Sequence, residues 1–173
     1  MRHGATEWNL KGIVMGHADI PLHPQGIQEA QDAVIPHDEI THVFYSPLQR
    51  AVQTMHIVTR QINCPKEELH GIQERHIGDL AGKPRAAIIE DLKTLTPLGG
   101  ETHEQFRERL VAAINNALAK SDCPLFISHG GVFRAIKELL NIEHASLNNC
   151  ELVKFVPCHQ SGRWHIEKHT RGS

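Results

Sequence analysis

His3 stands in Arg2-His3-Gly4, and His129 stands in Ser128-His129-Gly130-Gly131, directly after the apolar run Pro124-Leu125-Phe126-Ile127. Two histidines that each run into a glycine turn suit a phosphoryl-transfer site in which one imidazole is the nucleophile. Between them stand Ser46-Pro47-Leu48-Gln49-Arg50-Ala51 and Glu74-Arg75-His76-Ile77-Gly78. A phosphate monoester resists attack because its oxygens repel nucleophiles and its alkoxide is a poor leaving group. Catalysis therefore needs a neutral nucleophile, positive charge around the equatorial oxygens and an acid for the leaving group. Arg2 and Arg50 offer planar forks of donors that each match two oxygens. An imidazole beside guanidinium groups has its protonated form disfavoured, which keeps a ring lone pair available. Taken singly, an exposed terminal histidine, a solvated helix arginine or a carbonyl-bonded core histidine would explain each residue. The four segments in this order carry the reading.

In that order the segments resemble the histidine phosphatase superfamily, which also contains the cofactor-dependent phosphoglycerate mutases, and the likeness runs from Met1 to about Val156. The resemblance implies that His3 becomes transiently phosphorylated and that Arg2 and Arg50 grip the phosphoryl group. It makes His129 the second histidine, donating to a phosphoryl oxygen and protonated once substrate is bound. Glu74, at the spacing Glu74-x-x-x-Gly78-x-x-x-Gly82, matches the family's proton donor. That role requires burial or phosphate charge to hold its proton at neutral pH. Asn9, in Thr6-Glu7-Trp8-Asn9, matches the usual amide contact to phosphate, with Thr6 nearby and Trp8 read as packing. Gly130 and Gly131 open a helix whose backbone N–H groups suit an anion. Arg75, with Lys83 and Arg85, points to an anionic substrate, although solvated surface charge explains all three equally well.

Two activities share this chemistry. The segment Glu74-Arg75-His76-x-Gly78-x-Leu80-x-Gly82-Lys83 resembles the mutase version, in which phosphate passes to another hydroxyl of a bound sugar acid. Against the mutase, the stretch between Lys83 and Gly99-Gly100-Glu101-Thr102 is short and holds only Arg85, where mutases carry a longer insertion with paired arginines. The chain also ends soon after its last strand, with no tail to cap the site. The expectation is a metal-independent phosphatase of small phosphate monoesters, with the mutase as alternative. An inactive phospho-ligand or protein-binding member stands as a reading from another class. A metal-dependent hydrolase would need histidines and carboxylates at ligand spacing. No cofactor or metal is expected.

The elements that must position these residues alternate. Helical periodicity marks Ile27, Ala30 and Val34 after Gly26. A longer stripe is Leu48, Val52, Met55, Val58 and Ile62. A third is Phe106, Leu110, Ile114, Ala117 and Leu118, and a fourth is Phe133, Ile136, Leu139 and Leu140. Shorter strand signals lie at Thr41–Tyr45, Pro124–Ser128, Glu151–Val156 and Trp164–His169. The pattern predicts an α/β fold, a three-layer sandwich with a mostly parallel central sheet flanked by helices. Ligands in such folds collect beyond the carboxyl ends of the strands, where His129 and the Arg50 segment fall. Ser46 is placed to cap the Arg50 helix, with Pro47 at its first position and Gln49 completing a capping box. A modest helical segment is expected over Arg85–Leu95.

One feature departs from the family's pattern. Its Arg-His-Gly motif follows an apolar strand at the centre of the sheet, whereas only Met1 precedes Arg2, so the first strand is missing or truncated. The expectation is a natural protein that starts several residues upstream, an internal Met having been taken as the start.

At 173 residues the chain is read as one domain, with the tail Arg171-Gly172-Ser173 as a vector remnant. A net charge of -2 gives no reason to expect nucleic acid or a polybasic membrane contact. No apolar run or leader suggests a membrane or export, so the cytoplasm is the expected compartment. The four scattered cysteines are then expected reduced. A small-molecule phosphomonoester is the expected partner, and a homodimer stays open.

Overall fold

The computed structural model describes residues 1–143, 146–158 and 162–168. Strands β1 (His42–Tyr45), β2 (Lys66–Glu68) and β3 (Pro124–Ile127) form a parallel sheet in the order β2-β1-β3. Val43 is paired with Lys66 on one side and Leu125 on the other. Successive side chains of a strand alternate faces, so this sheet divides two apolar layers. Val43, Leu125 and Ile127 pack with Ala30 of helix α2 (Pro24–Asp32) and with Ala51, Met55 and Val58 of α3 (Gln49–Val58). On the other face Phe126 packs against Phe106, Leu110 and Ala113 of α4 (His103–Leu118) and Val132 and Ala135 of α5 (Gly130–Leu139). The three-layer α/β expectation holds.

A short helix, α1 (Glu7–Leu10), follows the first motif. An antiparallel pair, β4 (Val153–Pro157) and β5 (Trp164–Lys168), closes the chain, with Val153, Phe155 and Ile166 packed under Phe133. The expected end of the last strand at His169 and the tail Arg171-Gly172-Ser173 lie outside the described residues. Among the described residues no helix is long and apolar enough to cross a membrane.

Residues 1–3 occupy the place of the expected first strand. The Ser128 N–H donates to the Met1 carbonyl at 3.0 Å and the His3 N–H to the Ser128 carbonyl at 2.9 Å. The Ile127 carbonyl faces the other way, toward the end of β1, where it accepts the Ser46 N–H. On their far side these residues meet the approach to β4, the Cys150 N–H donating to the Arg2 carbonyl at 3.1 Å. Three residues thus sit between β3 and the last hairpin, with Met1 buried in the core.

Two helical expectations need correction. Helix α2 begins at Pro24, behind a His23 cap, so Gly26 lies inside it rather than before it. Its buried face is Gly26 and Ala30, whereas Ile27 and Val34 are each 38% exposed. The helix approaches residues 4 and 5 so closely that a Cβ on Gly26 would lie 2.0 Å from the Ala5 carbonyl oxygen. The face with the smallest side chains therefore turns inward. Over Arg85–Leu95 no α-helix forms, only a 3-10 turn at Arg85–Ala87 and a single turn closed on the Asp91 carbonyl. Ile88 alone is buried and Ile89 is 95% exposed, so this segment has no packed face. A helix in a protein draws most of its stability from such a face.

Candidate active site

The parallel pairing of residues 1–3 with β3 puts the two histidine motifs side by side at the same sheet edge, Arg2 opposite Ser128. The His3 and His129 ring centroids lie 5.2 Å apart. Ser46 directly follows β1 at that edge, and Arg50 sits in the first turn of α3. His3, His129 and Arg50 are each at most 2% exposed.

Hydrogen bonds assign the tautomers. His3 Nδ1 lies 2.7 Å from the Gly4 carbonyl. A carbonyl only accepts, so Nδ1 carries the proton and Nε2 the lone pair. Burial, then the charge of Arg50, holds His3 well below the usual 6.5 despite the Gly4 bond, which favours protonation. Arg50 Nε donates to His129 Nδ1 at 3.3 Å, which leaves His129 Nε2 to donate to Ser46 Oγ at 2.7 Å. Burial and then Arg50 also push His129 well below 6.5, so it is neutral in this state. A bound dianion would oppose that push, as the protonated role expected of His129 requires.

The arginines are built in differently. One N–H on each Nη of Arg50 donates to a carbonyl, of Ala18 and of Gly16, both at 2.8 Å, which leaves a second N–H on each Nη for a ligand. Burial lowers its guanidinium to about 10, so it stays charged at neutral pH. Arg2 Nη1 donates to the Leu147 carbonyl at 2.7 Å, while its buried Nε has no partner among the described residues. An unpartnered buried guanidinium donor is a costly arrangement that an anionic ligand would relieve. Gly130, with a Cβ position only 3.5 Å from that Nε, forms the adjoining wall.

Glu74 is held on every side. Its Oε1 accepts the Arg75 N–H at 3.0 Å and its Oε2 the Gly131 N–H at 2.9 Å. Its carbonyl accepts from His17 Nε2 at 2.7 Å and Arg109 Nη2 at 2.9 Å. The first N–H groups of α5 were expected to face an anion, and here one of them faces the Glu74 carboxylate. Arg109 in turn pairs with Glu101 at 2.6 Å, and Glu101 accepts the His76 N–H at 2.7 Å.

Asn9 and Thr6 form a capping box at the start of α1. Asn9 Oδ1 accepts the Thr6 N–H and hydroxyl, each at 3.1 Å, and Asn149 Nδ2 at 3.4 Å. Fixing Oδ1 this way leaves Asn9 Nδ2 as the end with donors to offer a ligand. The Thr6 hydroxyl is already committed to Asn9 and Met15.

Arg75 is placed elsewhere than expected. Its guanidinium donates to the carbonyls of Leu92, Leu95 and Glu101, so it clamps a loop with four of its five donors. Ser46 does not cap α3 either. Leu48 is the N-cap, with no side-chain bond, and the Gln49 N–H finds Asp19 Oδ1 at 2.6 Å. The Ser46 hydroxyl instead accepts the N–H of Leu48 itself at 3.4 Å and that of His129 Nε2 at 2.7 Å.

Several positioning residues gave no signal in the chain. Gly16, Ala18 and Asp19 anchor Arg50 or its helix through a loop, and Asn149 donates to the His3 carbonyl at 2.9 Å from far along the sequence. For Arg109 and Glu101 a signal was available, because Thr102 and Gln105 form a capping box that opens α4 beside them. Among the described residues no group of three or more His, Cys, Asp or Glu is placed to hold a metal ion.

The family model of the histidine phosphatase superfamily (branch 1) matches residues 1–170. Over 163 residues the chain is 32% identical to the adenosylcobalamin/alpha-ribazole phosphatase of Salmonella typhimurium, covering 85% of this chain and 81% of that one. Over 167 residues it is 32% identical to the 2,3-bisphosphoglycerate-dependent phosphoglycerate mutase of Cytophaga hutchinsonii, covering 84% and 76%. The crystal structure of a phosphoglycerate mutase from Thermus thermophilus matches with a TM-score of 0.72 at 28% identity, over 88% of each chain. Paired histidines at one sheet edge, the arginines beside them and this agreement over nearly the whole length make the chain a member of the histidine phosphatase superfamily, whose members act on phosphate groups.

Proposed function

We propose that this protein is a metal-independent phosphatase of small phosphate monoesters, working through a phosphohistidine on His3. The observation that carries the reading is the His3 tautomer: a buried, neutral imidazole whose Nδ1 is tied to Gly4, leaving the Nε2 lone pair for phosphorus. In the first step Nε2 attacks phosphorus and the ester P–O bond breaks. Arg2 and Arg50 offset charge on the equatorial oxygens, and Glu74 gives its proton to the departing alkoxide. In the second step water attacks phospho-His3 and Glu74 takes its proton. The P–N bond breaks, and His3 Nε2 recovers its lone pair.

The placement of the basic side chains favours water over a second hydroxyl as acceptor. Arg75 is committed to three carbonyls, Lys83 lies 3.7 Å from Asp79, and Arg85 Nη1 donates to the Ile88 carbonyl of its own turn. Arg75, the basic residue next to Glu74, is thus committed to the loop rather than turned toward a substrate. The mutase remains the second reading, on the likeness of Glu74-Arg75-His76 to the mutase segment and on the mutase relative. Among the described residues the four cysteines form no disulfide, which fits a reducing compartment and a cytoplasmic enzyme.

The test is hydrolysis of an aryl phosphate with EDTA present, by the native chain and by His3→Ala. Turnover should survive EDTA and fall in the variant by about 10⁴-fold or more, the scale seen when a covalent nucleophile is removed. Equal rates for the two proteins would sink the reading. Phosphate appearing on a second hydroxyl of a phosphoglycerate, rather than in solution, would transfer it to the mutase.

A further inference from the structure

We infer that Gly131 is the positioning residue for the proton-transfer carboxylate, acting both through its backbone N–H and through the side chain it lacks. The inference rests on the roles proposed above for His3 and Glu74.

The Gly131 N–H donates to Glu74 Oε2 at 2.9 Å. A Cβ built on Gly131 would lie 1.9 Å from Glu74 Oε1 and 2.8 Å from its Cδ, so the carboxylate occupies the space that any other residue would fill. At the neighbouring Gly130 the same construction meets nothing nearer than Arg2 Nε at 3.5 Å, an ordinary contact. Backbone conformation does not require glycine at 131, which is absent from the positive-φ positions and lies within α5. Helix propensity favours alanine there. What glycine permits at this position is the seat of Glu74.

The seat also sets the register of the site. Glu74 is anchored at its carbonyl by His17 and Arg109 and at Oε1 by the Arg75 N–H. Gly131 closes the remaining freedom from a position two residues after His129, on the helix that His129 begins. Both histidines and the carboxylate are therefore referenced to one rigid junction, the end of β3 and the start of α5.

Displacing the carboxylate should divide the two steps of the reaction by leaving group. An aryl oxide departs without a proton, so phosphorylation of His3 by an aryl phosphate should survive in Gly131→Ala. Hydrolysis of phospho-His3 needs the base and should slow by about 10²-fold, the lower range of general acid–base catalysis. Stopped-flow release of nitrophenol by Gly131→Ala should show a burst approaching one equivalent per enzyme and then slow turnover. Turnover of glycerol phosphate, whose alkoxide needs the proton, should fall by the same order. In the Glu74→Gln background the Gly131→Ala change should have little further effect, because the glycine acts through that carboxylate. Equal losses on both esters without a burst, or an undiminished loss in the Glu74→Gln background, would overturn the inference. Should Gly131→Ala not fold, the amide proton of Gly131 in the native chain is the readout. It should move upfield in Glu74→Gln, and an unchanged shift would overturn the inference. A native chain with no EDTA-resistant, His3-dependent turnover would overturn the phosphatase reading first, and this inference with it.

Discussion

His3 and His129 show how burial and one charge keep an imidazole neutral. Each is pushed well below 6.5, first by burial and then by Arg50. Attack requires the neutral ring, so the acid limb of kcat/KM should lie below pH 6.5; a limb at or above 6.5 would contradict the burial argument. Folding stability should follow the same groups. The unfolded chain takes up protons near pH 6.5 that the folded one refuses, so stability is full above that pH. It is lost as pH falls toward the depressed native values, at up to about 1.4 kcal/mol per pH unit for each ring. Urea titrations between pH 7.5 and 5.5 measure this, and a flat profile would refute it. Ser46→Ala tests the partner of His129. It strands the Nε2 proton in a buried site and should cost about 1–3 kcal/mol of folding stability, read by urea denaturation, where a purely surface serine would cost almost nothing.

The decisive element contact is α2 against the backbone that carries His3. A Cβ on Gly4 would lie 2.4 Å from the Gly26 carbonyl oxygen, and one on Gly26 would lie 2.0 Å from that of Ala5. The opposing atoms are backbone, so neither side can yield by rotating a side chain. Gly26→Ala should therefore cost about 1–3 kcal/mol, the range for overpacking. It should also lower activity, because the Gly4 N–H donates to Thr54 Oγ1 of α3 at 3.0 Å and would be pushed out of register. A thermal midpoint equal to that of the native chain would show that the helix can recede freely. The same close approach explains why the periodicity of Ile27 and Val34 misled: the face chosen was the one that let two backbones meet.

At the scale of the whole molecule, long-range ties gather segments that are remote in sequence around one sheet edge. Asn149 reaches His3 and Asn9, Arg109 reaches Gly71, Gln73 and Glu74, and Arg75 gathers Leu92, Leu95 and Glu101. Arg75 is 7% exposed, so its removal would leave those carbonyls without their donor. Arg75→Ala should make the 85–98 segment markedly more sensitive to limited proteolysis while the half-life of the α5 region stays as in the native chain. Cleavage at native rates would mean that the clamp holds nothing.

Short motifs and their neighbours were enough to establish the family, the α/β class and the strands β1, β3, β4 and β5, and to single out His3 as the proposed nucleophile, whereas β2, three residues with no buried side chain, left no signal. Those readings depend on residue types and on periods of two and 3.6, which are local. The tertiary structure alone decided that Arg75 clamps a loop, that the Ser46 hydroxyl bonds His129, and that Asp19 and Gly16 steady the Arg50 segment. Each of these turns on which donor reaches which acceptor first in space, across separations the chain does not encode locally. The same holds for Glu74: its likeness to a proton donor was visible in the sequence, but its seat against Gly131 exists only once α5 is packed beside it.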